Sequence, residues 1–185
     1  GWVSGSNGAD RKVGKVGRPT KHQLVEVVDD IGELLPTGSV GEIRVTSATQ
    51  GMTGYLLEDG TIERTAPGPK MSGDLGFVDE EGYLTITGRA RDIIIRGGVN
   101  ISPLEIDGVL AKHRDVAEVC TIGVPDQIFG EAVVSHVVTV PGTAPSESTL
   151  LAHCAAWLPA QKVPVRTIFR DVLPRNSRGK IDRNA

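Results

Sequence analysis

The thirteen residues from Gly88 to Asn100, Gly-Arg-Ala-Arg-Asp-Ile-Ile-Ile-Arg-Gly-Gly-Val-Asn, constrain the fold more than any other stretch. Ile93, Ile94 and Ile95 form an all-apolar triplet that needs burial as a core strand. Arg89, Arg91 and Arg96 on either side of it need water or an anion. Gly97 and Gly98 then free the backbone for a tight turn or for close approach by a ligand or another chain segment. The tension fits a junction between two packed bodies with a ligand nearby.

The periodicity changes across that junction. Before it, residues 24–28, 41–46 and 83–87 alternate as strands, punctuated by turns at 34–38 and 79–82. Residues 1–15 read as loop and 51–70 mostly as loop, so this half is β-rich with almost no helical period. After it, Ser102, Pro103 and Glu105 give an N-cap, a first-turn proline and a capping-box partner, with Ile101 and Ile106 as a hydrophobic staple. A helix is expected over 102–113, strands over 116–124 and 132–140, a second helix from Pro145-Ser146 to Leu158, and a last strand over 165–169. The expected class is α+β, with a boundary near Arg91: residues 1–90 as one β-rich unit and 91–185 as a small α+β domain.

Charge and cysteine content narrow the function classes. A formal net charge of −3 argues against broad nucleic-acid binding. Residues 166–185 nevertheless hold six Lys/Arg against Asp171 and Asp182, a local excess that favours an anionic ligand. Cys120 and Cys154 lie in apolar runs without metal-ligand spacing, and the four histidines are scattered. Two buried thiols fit a reducing compartment, hence a cytoplasmic location, and no apolar run is long enough for a membrane span.

Four places could carry chemistry. Asp74, in the glycine-flanked Ser72-Gly73-Asp74-Leu75-Gly76, could accept hydrogen bonds from a vicinal diol, or could bond its own backbone in an Asx-turn. Arg89 could pin a phosphate or ribose with its planar fork, or sit in a surface ion pair. Gly97-Gly98 could admit a ligand or only shape a turn. Lys180, on the basic loop Pro174-Arg175-Asn176-Ser177-Arg178-Gly179-Lys180, could place a point charge beside a phosphate, or belong to a solvated tail.

Their order along the chain resembles the C-terminal portion of the adenylate-forming (ANL) superfamily, which holds acyl-CoA synthetases, peptide-synthetase adenylation domains and luciferase. Val16-Gly17-Arg18-Pro19, Gly38-Ser39-Val40-Gly41-Glu42-Ile43 and Gly54-Tyr55 are similar to its large-domain β-subdomain. The Ser72–Gly76 pentapeptide with Asp79-Glu80-Glu81-Gly82-Tyr83-Leu84 resembles its ribose-binding turn. Residues 88–92 and 97–106 resemble its hinge and first C-domain helix. Gly123-Val124-Pro125-Asp126, Gly130-Glu131 and the residues 173–181 complete the series.

The resemblance implies the β-rich end of a large adenylation domain followed by a small mobile domain. It implies an ATP-dependent carboxylic acid–CoA ligase, in which Asp74 and Arg89 bind the nucleotide and Lys180 is the catalytic lysine of adenylation. Arg91 would be the hinge, and Gly97, Gly98 and Asn100 would line the thiol channel. ATP, coenzyme A and a carboxylic acid are the implied small molecules, in keeping with fatty acid metabolism. Mg2+ ligands, the phosphate loop and most of the acyl pocket are expected in sequence preceding Gly1, so these residues alone should be inactive. A homodimer is compatible with this reading. Two departures are visible: Lys70, Met71 and Ser72 stand where the family usually has an aromatic and a threonine, and Arg91 where it usually has Asp or Lys. The alternatives are an adenylation domain or acyl-AMP ligase that loads a carrier protein, and a non-catalytic binding module.

Overall fold

The computed structural model describes residues 4–5, 12–47, 54–64 and 68–183. The chain divides into two compact units, Gly1–Ala90 and Arg91–Ala185. It is α+β, sheet-rich with two α-helices among the described residues.

In the first unit, the short strands β1 (Ser4–Gly5) and β2 (Arg18–Pro19) pair with each other. The main sheet is built from β3 (Gln23–Val28) and β4 (Gly41–Ser47), then, after the hairpin of β5 (Gly54–Leu56) and β6 (Ile62–Arg64), from β7 (Lys70–Val78) and β8 (Leu84–Arg89). Its order is β3-β4-β7-β8, antiparallel throughout. Val28, Ile43 and Leu84 are buried, and so is Val27, which as the neighbour of Val28 faces the other side of the strand. Strand β1 corrects the expectation of loop over 1–15, and the β5–β6 hairpin that of mostly loop over 51–70. Residues 51–53 and 65–67 of that expectation, and most of 1–15, lie outside the described residues.

The turn before β8 forms as read. Asp79 Oδ1 accepts the backbone N–H groups of Glu81 and Tyr83 at 3.1 and 2.8 Å, which closes the loop and delivers buried Tyr83 to the strand.

The second unit begins with a 3-10 turn, Ala90–Asp92, and the hairpin of β9 (Ile94–Arg96) and β10 (Val99–Ile101). Helix α1 (Pro103–Leu110), strands β11 (Val116–Asp126) and β12 (Gly130–Thr139), helix α2 (Glu147–Ala155) and β13 (Arg166–Phe169) follow. β12 is central: β11 runs antiparallel along one side, while β13 runs parallel and β9 touches it at Gly130 on the other. Ile106 and Leu110 of α1 and Leu150 and Cys154 of α2 join Val119, Val133 and Val137 of the sheet in one core. Helical periodicity and strand alternation thus meet in a single apolar layer, at roughly 1.5–3 kcal/mol per fully buried large aliphatic side chain.

Three expectations are corrected here. The isoleucine triplet is not wholly core: Ile94 is 1% exposed, but Ile95 is 54% exposed, because a strand turns alternate residues to opposite faces. The capping box of α1 does not form. Ser102 makes no side-chain cap bond, and Glu105 reaches Lys162 Nζ instead, at 2.7 Å. Pro125 does not end β11, which continues to Asp126 as an edge strand, where a missing N–H is tolerated. For α2 the N-cap is as read: Ser146 Oγ accepts Thr149 N–H at 3.1 Å.

Candidate active site

In the first unit, Ser72-Gly73-Asp74 is not a turn between strands. The three residues stand opposite the single Ile43, because the β4–β7 register jumps from Glu42↔Leu75 to Arg44↔Met71. This is a bulge inside β7, with Gly73 at φ +74°. Glu42 Oε1 accepts Gly73 N–H at 3.2 Å, and Ser72 Oγ accepts Asp74 N–H at 3.0 Å. The bulge re-aims Asp74, which lies directly across from Arg89 on β8. Arg89 Nε donates to Asp74 Oδ1 at 2.7 Å, and the two side chains remain 52% and 27% exposed. The structure therefore brings these two site residues together as an ion pair that solvent, or a ligand, can reach.

In the second unit, Gly97 and Gly98 are the two-residue turn of the β9–β10 hairpin, since Arg96 pairs with Val99. Both have positive φ, +57° and +80°, the conformation of a type I′ turn. Gly97 N–H donates to Phe129 O at 2.8 Å, so another backbone does approach here. Asn100 follows on β10 and is exposed. Arg91 lies in the 3-10 turn that opens the unit, its Nε 3.4 Å from Asp92 and its side chain 78% exposed.

The hairpin is gripped by the β11–β12 connection. Asp126 Oδ1 accepts the N–H groups of Ile128 and Phe129 at 2.9 and 2.8 Å, which holds its carboxyl below the usual carboxylate range. Glu131 Oε2 accepts Ile95 N–H at 2.5 Å. The carboxylate lies against Gly123, where a Cβ would stand 2.6 Å from Glu131 Oε1. These contacts give a structural meaning to the Gly123–Asp126 and Gly130-Glu131 motifs. Arg91, Asp92, Ile94, Gly123, Glu131 and Arg183 border a polar cleft of about 150 Å³ in this unit.

Lys180 is exposed on a loop that is knit rather than loose. Asn176 Oδ1 accepts Arg178 N–H and Lys180 N–H at 3.0 and 3.2 Å, and Asn176 N–H donates to Lys180 O at 2.9 Å. Arg175 donates to Gly179 O at 2.9 Å and to Glu118 Oε1 of β11 at 2.7 Å. Beyond the lysine, Arg183 pairs with Asp107 of α1. Asp107 is buried, which pushes its carboxyl up, while bonds from Thr121 and Arg183 pull it back. Of the supporting residues, Arg175, Asn176 and Glu131 stand in motifs of the sequence reading without a role of their own, and Arg183 escaped it. Only Asn176 carried a readable signal, an Asx residue two and four positions before the amides it binds.

Among the described residues no cluster of three His, Cys, Asp or Glu could hold a metal ion. No described helix is long and apolar enough to cross a membrane. Cys120 and Cys154 are free and buried, and burial pushes the Cys154 thiol up to about 11.

A β-rich unit with a paired carboxylate and guanidinium, then a small α+β unit with a knit lysine loop, agrees with the layout that the sequence resemblance implies. Comparison with known proteins places part of the chain in a family. Residues 105–180 match the model of the AMP-binding enzyme C-terminal domain. The sulfoacetate–CoA ligase of Cupriavidus necator is 39% identical over 94% of this chain and 34% of that ligase. The fatty acid–[acyl-carrier-protein] ligase ScoC of Streptomyces coeruleorubidus is 39% identical over 89% of this chain and 32% of its own length. ATP-bound MatB from Rhodopseudomonas palustris superposes with a TM-score of 0.81 at 34% identity, over 92% of this chain and 34% of its own. Residues 105–180 belong to the AMP-binding enzyme C-terminal domain family, and the chain spans about a third of the length of the curated relatives it matches.

Proposed function

We propose that this chain is part of an ATP-dependent carboxylic acid–CoA ligase. The observation that carries the reading is its likeness to the sulfoacetate–CoA ligase along 94% of its residues. In the first half-reaction the carboxylate oxygen attacks the α-phosphorus of ATP, and the bond to pyrophosphate breaks. In the second, the thiol of coenzyme A adds to the acyl carbonyl, AMP leaves, and a thioester forms.

Asp74 would accept the ribose hydroxyls through its remaining lone pairs, with the terminal nitrogens of Arg89 as donors beside them. Lys180 would offset the negative charge that gathers as a carboxylate approaches a phosphate. Residues 1–90 would belong to the large AMP-binding domain, with residues 91–185 as its mobile partner. Arg91 would be the pivot that lets the second unit present Lys180 in one half-reaction and the Gly97-Gly98 turn with Asn100 in the other. Mg2+ would accompany ATP as its counter-ion. The two free, buried thiols suit the cytoplasm.

A second reading has one specific support: the carrier-protein ligase ScoC is as similar as the CoA ligase, at 39%. Carboxylate-dependent ATP–pyrophosphate exchange by the full-length protein, followed by product analysis with CoA and with holo-carrier protein, tests both. An acyl-CoA product supports the first reading and an acylated carrier the second. No exchange with a broad panel of carboxylates would contradict both and favour a binding module.

A further inference from the structure

Two anchors hold the loop that carries Lys180, and they differ in kind. Before the lysine, Arg175 reaches Glu118 at 2.7 Å in an exposed pair, and such pairs hold a segment weakly. After it, Arg183 is drawn inward onto Asp107, with side chains only 19% and 12% exposed. Asp107 is itself fixed, because its other oxygen accepts Thr121 N–H of β11 at 2.8 Å. Beside it Thr121 Oγ1 and the fully buried Ser135 Oγ share a hydrogen bond of 2.7 Å. The loop is closed at its base by Asp182 N–H to Pro174 O at 2.9 Å. The guanidinium on Asp107 therefore locates the backbone three residues past Lys180 relative to both α1 and the sheet.

Such an arrangement is a poor way to gain stability. Desolvating two charges costs about as much as their attraction returns. Arg183 Nε is moreover buried without a hydrogen-bond partner among the described residues, a further cost. What the pair supplies is position. One terminal nitrogen of Arg183 meets Asp107 Oδ2 while Thr121 N–H holds Oδ1, so the guanidinium has a single fixed place to dock, whereas an apolar pair of similar volume would let the loop settle in several.

We propose that Arg183, held by Asp107, is a positioning residue for adenylation: it fixes the loop so that the ammonium group of Lys180 meets the reacting carboxylate and phosphate. This rests on the reading of Lys180 given above. A lysine is a point charge on a flexible stem, so an error in its backbone transmits directly to the charge it delivers. Misplacement of a catalytic group by about 1 Å costs on the order of 10²-fold in rate.

The test uses the full-length protein with Lys180→Ala, Arg183→Met and Arg183→Lys. Each is assayed for carboxylate-dependent pyrophosphate exchange and, separately, for thioester formation from a supplied acyl-adenylate. Arg183→Met is expected to lower exchange by roughly 10- to 100-fold while thioester formation stays within about threefold. Arg183→Lys keeps the charge on Asp107 and so protects the fold, but replaces a rigid planar group with a point charge on a flexible stem. It should recover part of the exchange rate and no more. Equal loss in both half-reactions, or exchange within about twofold of wild type in a folded Arg183→Met or Arg183→Lys while Lys180→Ala is crippled, overturns the positioning role. Normal exchange by Lys180→Ala is a different failure: it removes the reading of Lys180, and the positioning role falls with it.

Discussion

Glu131 Oε2 accepts the backbone N–H of Ile95 at 2.5 Å. That contact fastens the β11–β12 hairpin to the strand that leads into the Gly97-Gly98 turn. Phe129 O, in the same connection, takes Gly97 N–H at 2.8 Å, so the turn is held on both sides of its entry. The glycines need no bound ligand to explain their backbone. A two-residue turn with positive φ at both positions is sufficient reason, and a role toward a thiol would be added to it.

Gly123→Ala should dislodge this support. The new Cβ would stand 2.6 Å from Glu131 Oε1 and 3.2 Å from Ile94 Cγ2, so the carboxylate must move off Ile95 or the strand must shift. A loss of about 1–3 kcal/mol is expected from the overpacking. Hydrogen exchange at the Ile95 amide should accelerate with it. Unchanged protection at Ile95 would show that Glu131 does not hold the strand.

Acid should loosen the first unit through Asp79. Hydrogen bonding from Tyr83 N–H holds its carboxyl below the ordinary range, followed by the Lys15 ammonium 3.0 Å away. A carboxylate depressed in the folded state contributes stability above its unfolded value and loses it as pH falls through the folded one. Urea midpoints should therefore decline with falling pH below the ordinary carboxylate range, and less steeply in Asp79→Asn. Parallel profiles for the two proteins would contradict this.

The sequence displays this fold unevenly. Both α-helices and the strands after them are legible because Ile106, Leu110, Leu150 and Cys154 repeat at helical spacing between runs of β-branched residues. The Ser72–Asp74 bulge is not legible. A glycine-flanked Asp reads alike in a turn and in a bulge, and only the β4 register separates them. The β5–β6 hairpin was hidden for a similar reason, since Ile62, Glu63 and Arg64 are all exposed and show no alternation. Of the candidate site, Asp74, Arg89 and Lys180 are proposed from the order of motifs. The pairing of Asp74 with Arg89 needed the strand register. Arg183 finds Asp107 across 76 positions of sequence, a distance no local pattern encodes.

Asp74→Ala in the full-length protein should raise the KM for ATP by roughly 10- to 100-fold, the loss expected for charge-assisted hydrogen bonds of about 1.5–3 kcal/mol. The Tm should change little, because the ion pair with Arg89 is open to solvent and such pairs add little. Initial rates of exchange at varied ATP measure the first effect and thermal melts the second. An unaltered KM for ATP would remove Asp74 from the nucleotide site.

Whether Lys180 serves the adenylation half-reaction is read by comparing Lys180→Ala with wild type in two assays on the full-length protein: carboxylate-dependent pyrophosphate exchange, and release of acyl-CoA from a supplied acyl-adenylate. A lysine that acts in adenylation should, when removed, lower exchange by about 10²- to 10³-fold and leave the thioester step nearly unchanged. Equal losses in the two assays, or normal exchange, would contradict that role.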